Sequence, residues 1–170
     1  MDATGPAVLV IGVGNDDRGD DAAGLLAARR VRAGLAARPS SAAGVVVVEC
    51  TRDATTLMDV WEGAGLVFLL DAVQSGAAPG TILRVEPGAV PLAAGRGRGS
   101  THALGVAEAV ELARALGRLP PRLIVYGIEA ASFVPGTRPA PDVAAAAFEV
   151  ADRVLREIPH EPITPGAQAK

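Results

Sequence analysis

Short, continuous apolar runs alternate with longer stretches of helical period along nearly the whole chain, and few architectures accommodate that rhythm. The runs are expected as strands at Ala7–Gly12, at 44–49 ("GVVVVE"), from Leu66 to Asp71 within "LVFLLDAV", and from Arg122 to Ile128 within "PRLIVYGIE". Each is apolar at consecutive positions, the pattern of a strand covered by helices on both faces. "GTILRVEP", residues 80–87, is shorter and more polar and is expected near a sheet edge. Between them lie helical periods. One runs from Asp20 to about Leu35, with Leu25, Leu26, the stem of Arg29 and Val31 as its apolar positions. A second follows the acid cap Asp53, a third is "STHALGVAEAVELARALG" with Ser100 or Thr101 as cap, and a fourth is "PDVAAAAFEVADRVLREI" with Pro141 in its first turn. The rhythm predicts an α/β sheet. At 170 residues it fits one domain, expected over 1–158, with the Pro-rich, polar residues 159–170 as a disordered tail.

In such a sheet, polar groups that do chemistry gather beyond the carboxyl ends of the strands. Here those ends carry acids. After the first strand come Asn15, Asp16, Asp17, Asp20 and Asp21; Glu49 and Asp53 follow the second, Asp71 ends the third, and Glu129 ends the last. His102, at a helix start, is the one imidazole in the set. The net charge is −3 and the basic residues are scattered, which excludes a nucleic-acid footprint and a polybasic membrane patch. The apolar run Ala7–Val13 is too short to cross a bilayer, and no Lys or Arg precedes it as in an export signal, so no membrane insertion is expected. The single cysteine, Cys50, excludes an internal disulfide and fits a reducing compartment; a small buried residue near the end of a strand is its simplest setting.

The stretch "VLVIGVGNDDRGDDAAG", residues 8–24, places two glycines where a strand hands over to a helix, as a dinucleotide cradle does. The spacing fails: the third glycine of G-x-G-x-x-G falls on Asp17. A pyrophosphate at this corner would face four carboxylates at a cost on the order of several kcal/mol. A cation, or a group that carries one, is the better guest. Asp21, Asp71 and His102 together offer two oxygens and one nitrogen, a borderline set that accepts zinc, nickel or iron and leaves coordination positions open. Taken singly, each also suits a plainer role: Asp20 or Asp21 as a helix cap, Asp71 as acceptor for loop amides, His102 as a first-turn polar residue. G-x-S-x-G is absent, which argues against a serine hydrolase.

Four blocks, "VLVIGVGNDDRGDDAAG", "VFLLDAVQSG", "GSTHALG" and "YGIEAASFVPGTRPAPDV", resemble in order and separation those of the hydrogenase maturation proteases, over roughly residues 7–157. The resemblance implies a three-layer α/β/α sandwich around a mixed, mostly parallel five-stranded sheet with the fourth strand antiparallel. It implies a cytoplasmic endopeptidase that removes a C-terminal extension from a nickel-iron hydrogenase large-subunit precursor once nickel is inserted. Asp21, Asp71 and His102 fall on the nickel-binding positions, and the nickel is supplied by the precursor rather than held permanently. With that role the site would take catalytic residues from Asp21, Asp71 and, as general base, Asp20. Gly12 and Gly14 would let the backbone approach closely, and Asn15 would fix the loop through its amide. Asp16 and Asp17 are expected as solvated loop charges.

Two departures accompany the resemblance. The acid at position 21 is often glutamate in the family, one methylene longer than the aspartate here. After the second strand the family tends to have a Gly- and Thr-rich turn where this chain has "ECTRDATTL", a candidate for substrate choice. The loop "GAVPLAAGRGRGS" before His102 is expected as a flexible linker, with Arg96 and Arg98 as a possible basic edge. The reading from a different class is a non-catalytic α/β module that senses a metal or a metalloprotein.

Overall fold

The computed structural model describes residues 5–39, 42–50, 53–88 and 104–159. Five strands, β1 (Val8–Val13), β2 (Val45–Cys50), β3 (Leu66–Val73), β4 (Ile82–Val85) and β5 (Arg122–Glu129), form one sheet in the order β2-β1-β3-β5-β4. All neighbours are parallel except β4, which runs antiparallel to β5 at the edge. Four helices cover it: α1 (Ala23–Ala36), α2 (Ala54–Val60), α3 (Leu104–Ala115) and α4 (Pro141–Glu157). The expected α/β/α sandwich with a mixed, mostly parallel sheet is the observed fold.

Alternation along each strand divides the apolar side chains between two cores. Val8, Val10, Phe68, Leu70 and Tyr126 pack under α1 and α4, whereas Leu9, Ile11, Val67, Leu69 and Val125 pack under α2 and α3. Burying each such side chain stabilises the fold by about 1.5–3 kcal/mol, which is why these runs tolerate no polar interruption before the strand ends. Trp61, 1% exposed, fills the second core and donates its indole N–H to the Arg118 carbonyl, so the ring is buried without an orphaned donor.

The element boundaries shift in ways that have physical causes. The helix expected from Asp20 begins instead as a 3-10 turn over Gly19–Ala22, and α1 starts only at Ala23. Gly19 sits at φ 58°, and Asp20 sends its N–H to the Ser132 carbonyl, so tertiary bonds tighten this turn before the helix takes over. β3 extends to Val73 and β5 to Glu129 because their register pairs Val73 with Glu129 beyond the apolar run. Arg29, read from its period as an apolar stem, presents its guanidinium to acids on two other elements. Gly24 brings α1 down onto the sheet: a Cβ there would lie 2.2 Å from the Leu70 carbonyl oxygen and 2.4 Å from that of Val13. Cys50 ends β2 as expected but is half-buried rather than buried, because β2 is an edge strand. The cap of α3 at Ser100 or Thr101, the linker arginines Arg96 and Arg98, His102 and residues 160–170 of the expected tail lie outside the described residues.

Candidate functional site

From β1 the chain crosses through α1 to β2 on one side, then returns through α2 to β3 on the other. The crevice between the carboxyl ends of β1 and β3 is therefore the point where strand order reverses, the usual place for a ligand in an open α/β sheet. Asp21 stands in the 3-10 turn after β1 and is 3% exposed; Asp71 is on β3, 2% exposed, on the same face of the strand as Val67 and Leu69. The turn packs directly against β3. Topology thus brings these two carboxylates to neighbouring strand ends. Among the described residues no group of three His, Cys, Asp or Glu side chains forms a metal cluster; His102, the third expected member, is not among them.

Gly14 makes the corner possible. It has φ 151°, and a Cβ at this position would meet the Asp21 carbonyl oxygen at 1.9 Å. Asn15 then donates its N–H to that carbonyl at 3.3 Å, while its side-chain oxygen accepts the N–H of Asp17 at 2.9 Å. The close approach at Gly12 is equally real, with the Gly24 carbonyl oxygen and the Ala28 Cβ each 2.6 Å from a hypothetical Cβ.

Most of the other strand-end acids hold the scaffold. Glu129, 2% exposed, accepts from the N–H and hydroxyl of Ser75 and from the N–H of Gly76, tying the loop after β3 to the end of β5. Asp53 caps α2, and the Thr55 hydroxyl, followed by the hydroxyl and N–H of Thr56, holds its carboxyl down at about 2. Asp16 is not a plain solvated charge. Arg29 forks onto it and also reaches Glu49 on β2, and the guanidinium's hydrogen bonds lower both carboxyl pKa values. Arg29 is the residue that periodicity concealed; an arginine with acids at two strand ends was the available signal.

Asp20, the expected general base, is enclosed by backbone amides. It is 1% exposed, and its Oδ2 accepts the N–H groups of Ala131 at 2.7 Å and Ser132 at 2.9 Å, while Oδ1 accepts that of Ala140 at 2.6 Å. The last bond supplies the N-terminus of α4, whose cap residue Ala140 has no side chain to offer.

The family model described as hydrogenase maturation protease matches residues 30–157, three quarters of the chain. The chain belongs to the hydrogenase maturation protease family. The match contains Asp71 and His102 and begins after Asp21. Relatives extend further: a hydrogenase expression/formation protein HupD from Rhizobium leguminosarum bv. viciae is 32% identical over 155 residues, 89% of this chain and 75% of that one. HupD from Thiocapsa roseopersicina is 32% identical over 124 residues, 73% of this chain but 54% of its own length, so this match spans about half of that relative. The hydrogenase-maturating endopeptidase HybD from Escherichia coli superposes with a TM-score of 0.68 at 26% identity, covering 88% of this chain and 90% of that one. This member of the maturation proteases therefore shares its fold with a solved hydrogenase-maturating endopeptidase.

Proposed function

We propose that this maturation protease is the endopeptidase that removes the C-terminal extension of a nickel-iron hydrogenase large-subunit precursor, reading the inserted nickel through Asp21, Asp71 and His102. The observation that carries the reading is the placement of Asp21 and Asp71, both buried, at the β1–β3 crevice of a chain that belongs to this family. Two carboxylate oxygens and an imidazole suit nickel and leave room for ligands that the precursor brings with it. The metal arrives with the substrate. Held by these side chains, the nickel would polarise a scissile carbonyl or acidify a water, so that addition of water across the peptide bond would yield the trimmed subunit and a free peptide. The place of action is the cytoplasm, where an unfinished subunit is available; among the described residues no helix is long and apolar enough to cross a membrane.

The test uses purified full-length chain with nickel-loaded and nickel-free precursor, read by intact mass. Trimming of the loaded form alone is expected. Binding to the loaded form without trimming would instead identify a sensing module and overturn the endopeptidase reading.

A further inference from the structure

The loop after β5 is fastened to the site turn by more than its neighbours in sequence require. Besides the three bonds to the Asp20 carboxylate, Ser132 O accepts the Asp20 N–H at 3.0 Å, Thr137 O accepts the Gly19 N–H at 3.2 Å, and Asp17 O accepts the Gly136 N–H at 2.7 Å. Fit is tight on the turn's side as well: a Cβ on Gly19 would lie 2.7 Å from Thr137 Oγ1 and 2.9 Å from Ser132 O. The loop is itself shaped by Thr137, whose hydroxyl donates to Val134 O at 2.7 Å. Because β3 lies between β1 and β5, this clasp joins two strand ends that do not touch and spans the strand carrying Asp71. Asp21 is the next residue after Asp20 in the same 3-10 turn, and its carbonyl anchors Asn15.

We propose that Asp20 is a positioning residue: its buried carboxylate, by holding the backbone amides of Ala131, Ser132 and Ala140, sets the turn that presents Asp21 to the substrate's metal. A general base needs a lone pair aimed at water or substrate. Asp20 aims its oxygens at amides, out of solvent. An amide in its place keeps one acceptor oxygen but turns an NH2 group toward a backbone donor, so one side of the clasp opens while size and shape are retained. The inference rests on the proposed function for its kinetic readout, and on the clasp alone for its structural one.

The experiment compares wild type, Asp20→Asn and Asp20→Glu, with Thr137→Ala as a milder variant that loosens the loop from its far side. For Asp20→Asn, KM for nickel-loaded precursor is expected to rise about tenfold or more with kcat held within about threefold and a pH profile parallel to wild type, since metal reading is weakened and no proton carrier is lost. Asp20→Glu is expected to recover part of the loss. Thr137→Ala should raise KM by a smaller factor, and it decides the matter if Asp20→Asn does not fold. Wild-type KM in folded Asp20→Asn overturns the proposal, as does a collapse of kcat at unchanged KM with loss of the acidic limb. Hydrogen exchange supplies the readout that does not depend on processing. Faster exchange is expected at Ala131, Ser132 and Ala140 and also at Asn15, whose amide bonds the Asp21 carbonyl. Unchanged protection at Asn15 means that Asp20 does not set Asp21. If wild type trims nothing, the function fails while exchange still judges the clasp.

Discussion

Arg29 on α1 forks onto Asp16 in the loop after β1, with Nη1 to Oδ1 and Nη2 to Oδ2 both at 2.7 Å. The same guanidinium bonds Glu49 on β2 through Nε at 3.0 Å, and Arg32 completes the group at 2.9 Å from Glu49 Oε1. One side chain therefore connects the helix, the rim of the site and the edge strand.

The pH dependence of this contact has a definite sign. Arg29 lowers the carboxyl pKa values of Asp16 and Glu49 below their ordinary 3.8 and 4.5. Groups lowered by folding stabilise the protein fully above their unfolded values, and lose that contribution as pH falls through the folded ones. Arg29→Met is expected to cost less than about 1 kcal/mol, because Arg29 and Asp16 are well exposed and Arg32 still pairs with Glu49 in the variant. The difference between wild type and variant in urea unfolding should be constant from pH 7 down to about 5 and shrink below about pH 4. A difference that grows on acidification would contradict the assignment.

Gly14→Ala places a methyl group where the Asp21 carbonyl oxygen already sits, at a φ that alanine rarely adopts. About 3 kcal/mol of destabilisation is expected from the strain and overpacking together, measured by chemical denaturation. Processing should fall more steeply than stability, since the turn that yields is the one carrying Asp21.

Glu129→Gln replaces a buried carboxylate that collects two amides and a hydroxyl at the end of β5. Hydrogen bonds to a charged acceptor are the stronger kind, and the loss is expected to be about 2 kcal/mol. Exchange at the amides of Ser75 and Gly76 should accelerate selectively. Uniform acceleration across β5 would point to global loosening instead.

Asp71→Asn and His102→Ala test the proposed metal reading. Outer partners of a metal ligand alone are worth roughly 10–100-fold, so loss of a ligand is expected to cost at least that much in trimming of nickel-loaded precursor by intact mass. Near-UV circular dichroism of both variants should match wild type. A full-rate His102→Ala variant would remove histidine from the site.

A denaturation test separates the two cores from the site. Leu69→Ala empties a fully buried position under α2 and α3 and is expected to cost about 2–5 kcal/mol. Its KM for precursor should stay that of wild type in the folded fraction, in contrast to Asp20→Asn.

The periodicity of Val, Leu and Ile by itself determined the sheet, its helical layers and the edge position of β4, because burial on both faces demands unbroken apolar runs and a helix over each. Gly14 and the acids behind it likewise announced a close corner whose charge disfavours phosphate. Which acid does what was decided only in three dimensions. Asp16, Asp20 and Glu129 look alike in the chain, yet one is held by Arg29 on a helix, one by amides as far as 120 positions away, and one by the loop after a neighbouring strand. A carboxylate's role depends on which donors surround it, and for these three acids the donors come from elements other than the one that carries the carboxylate.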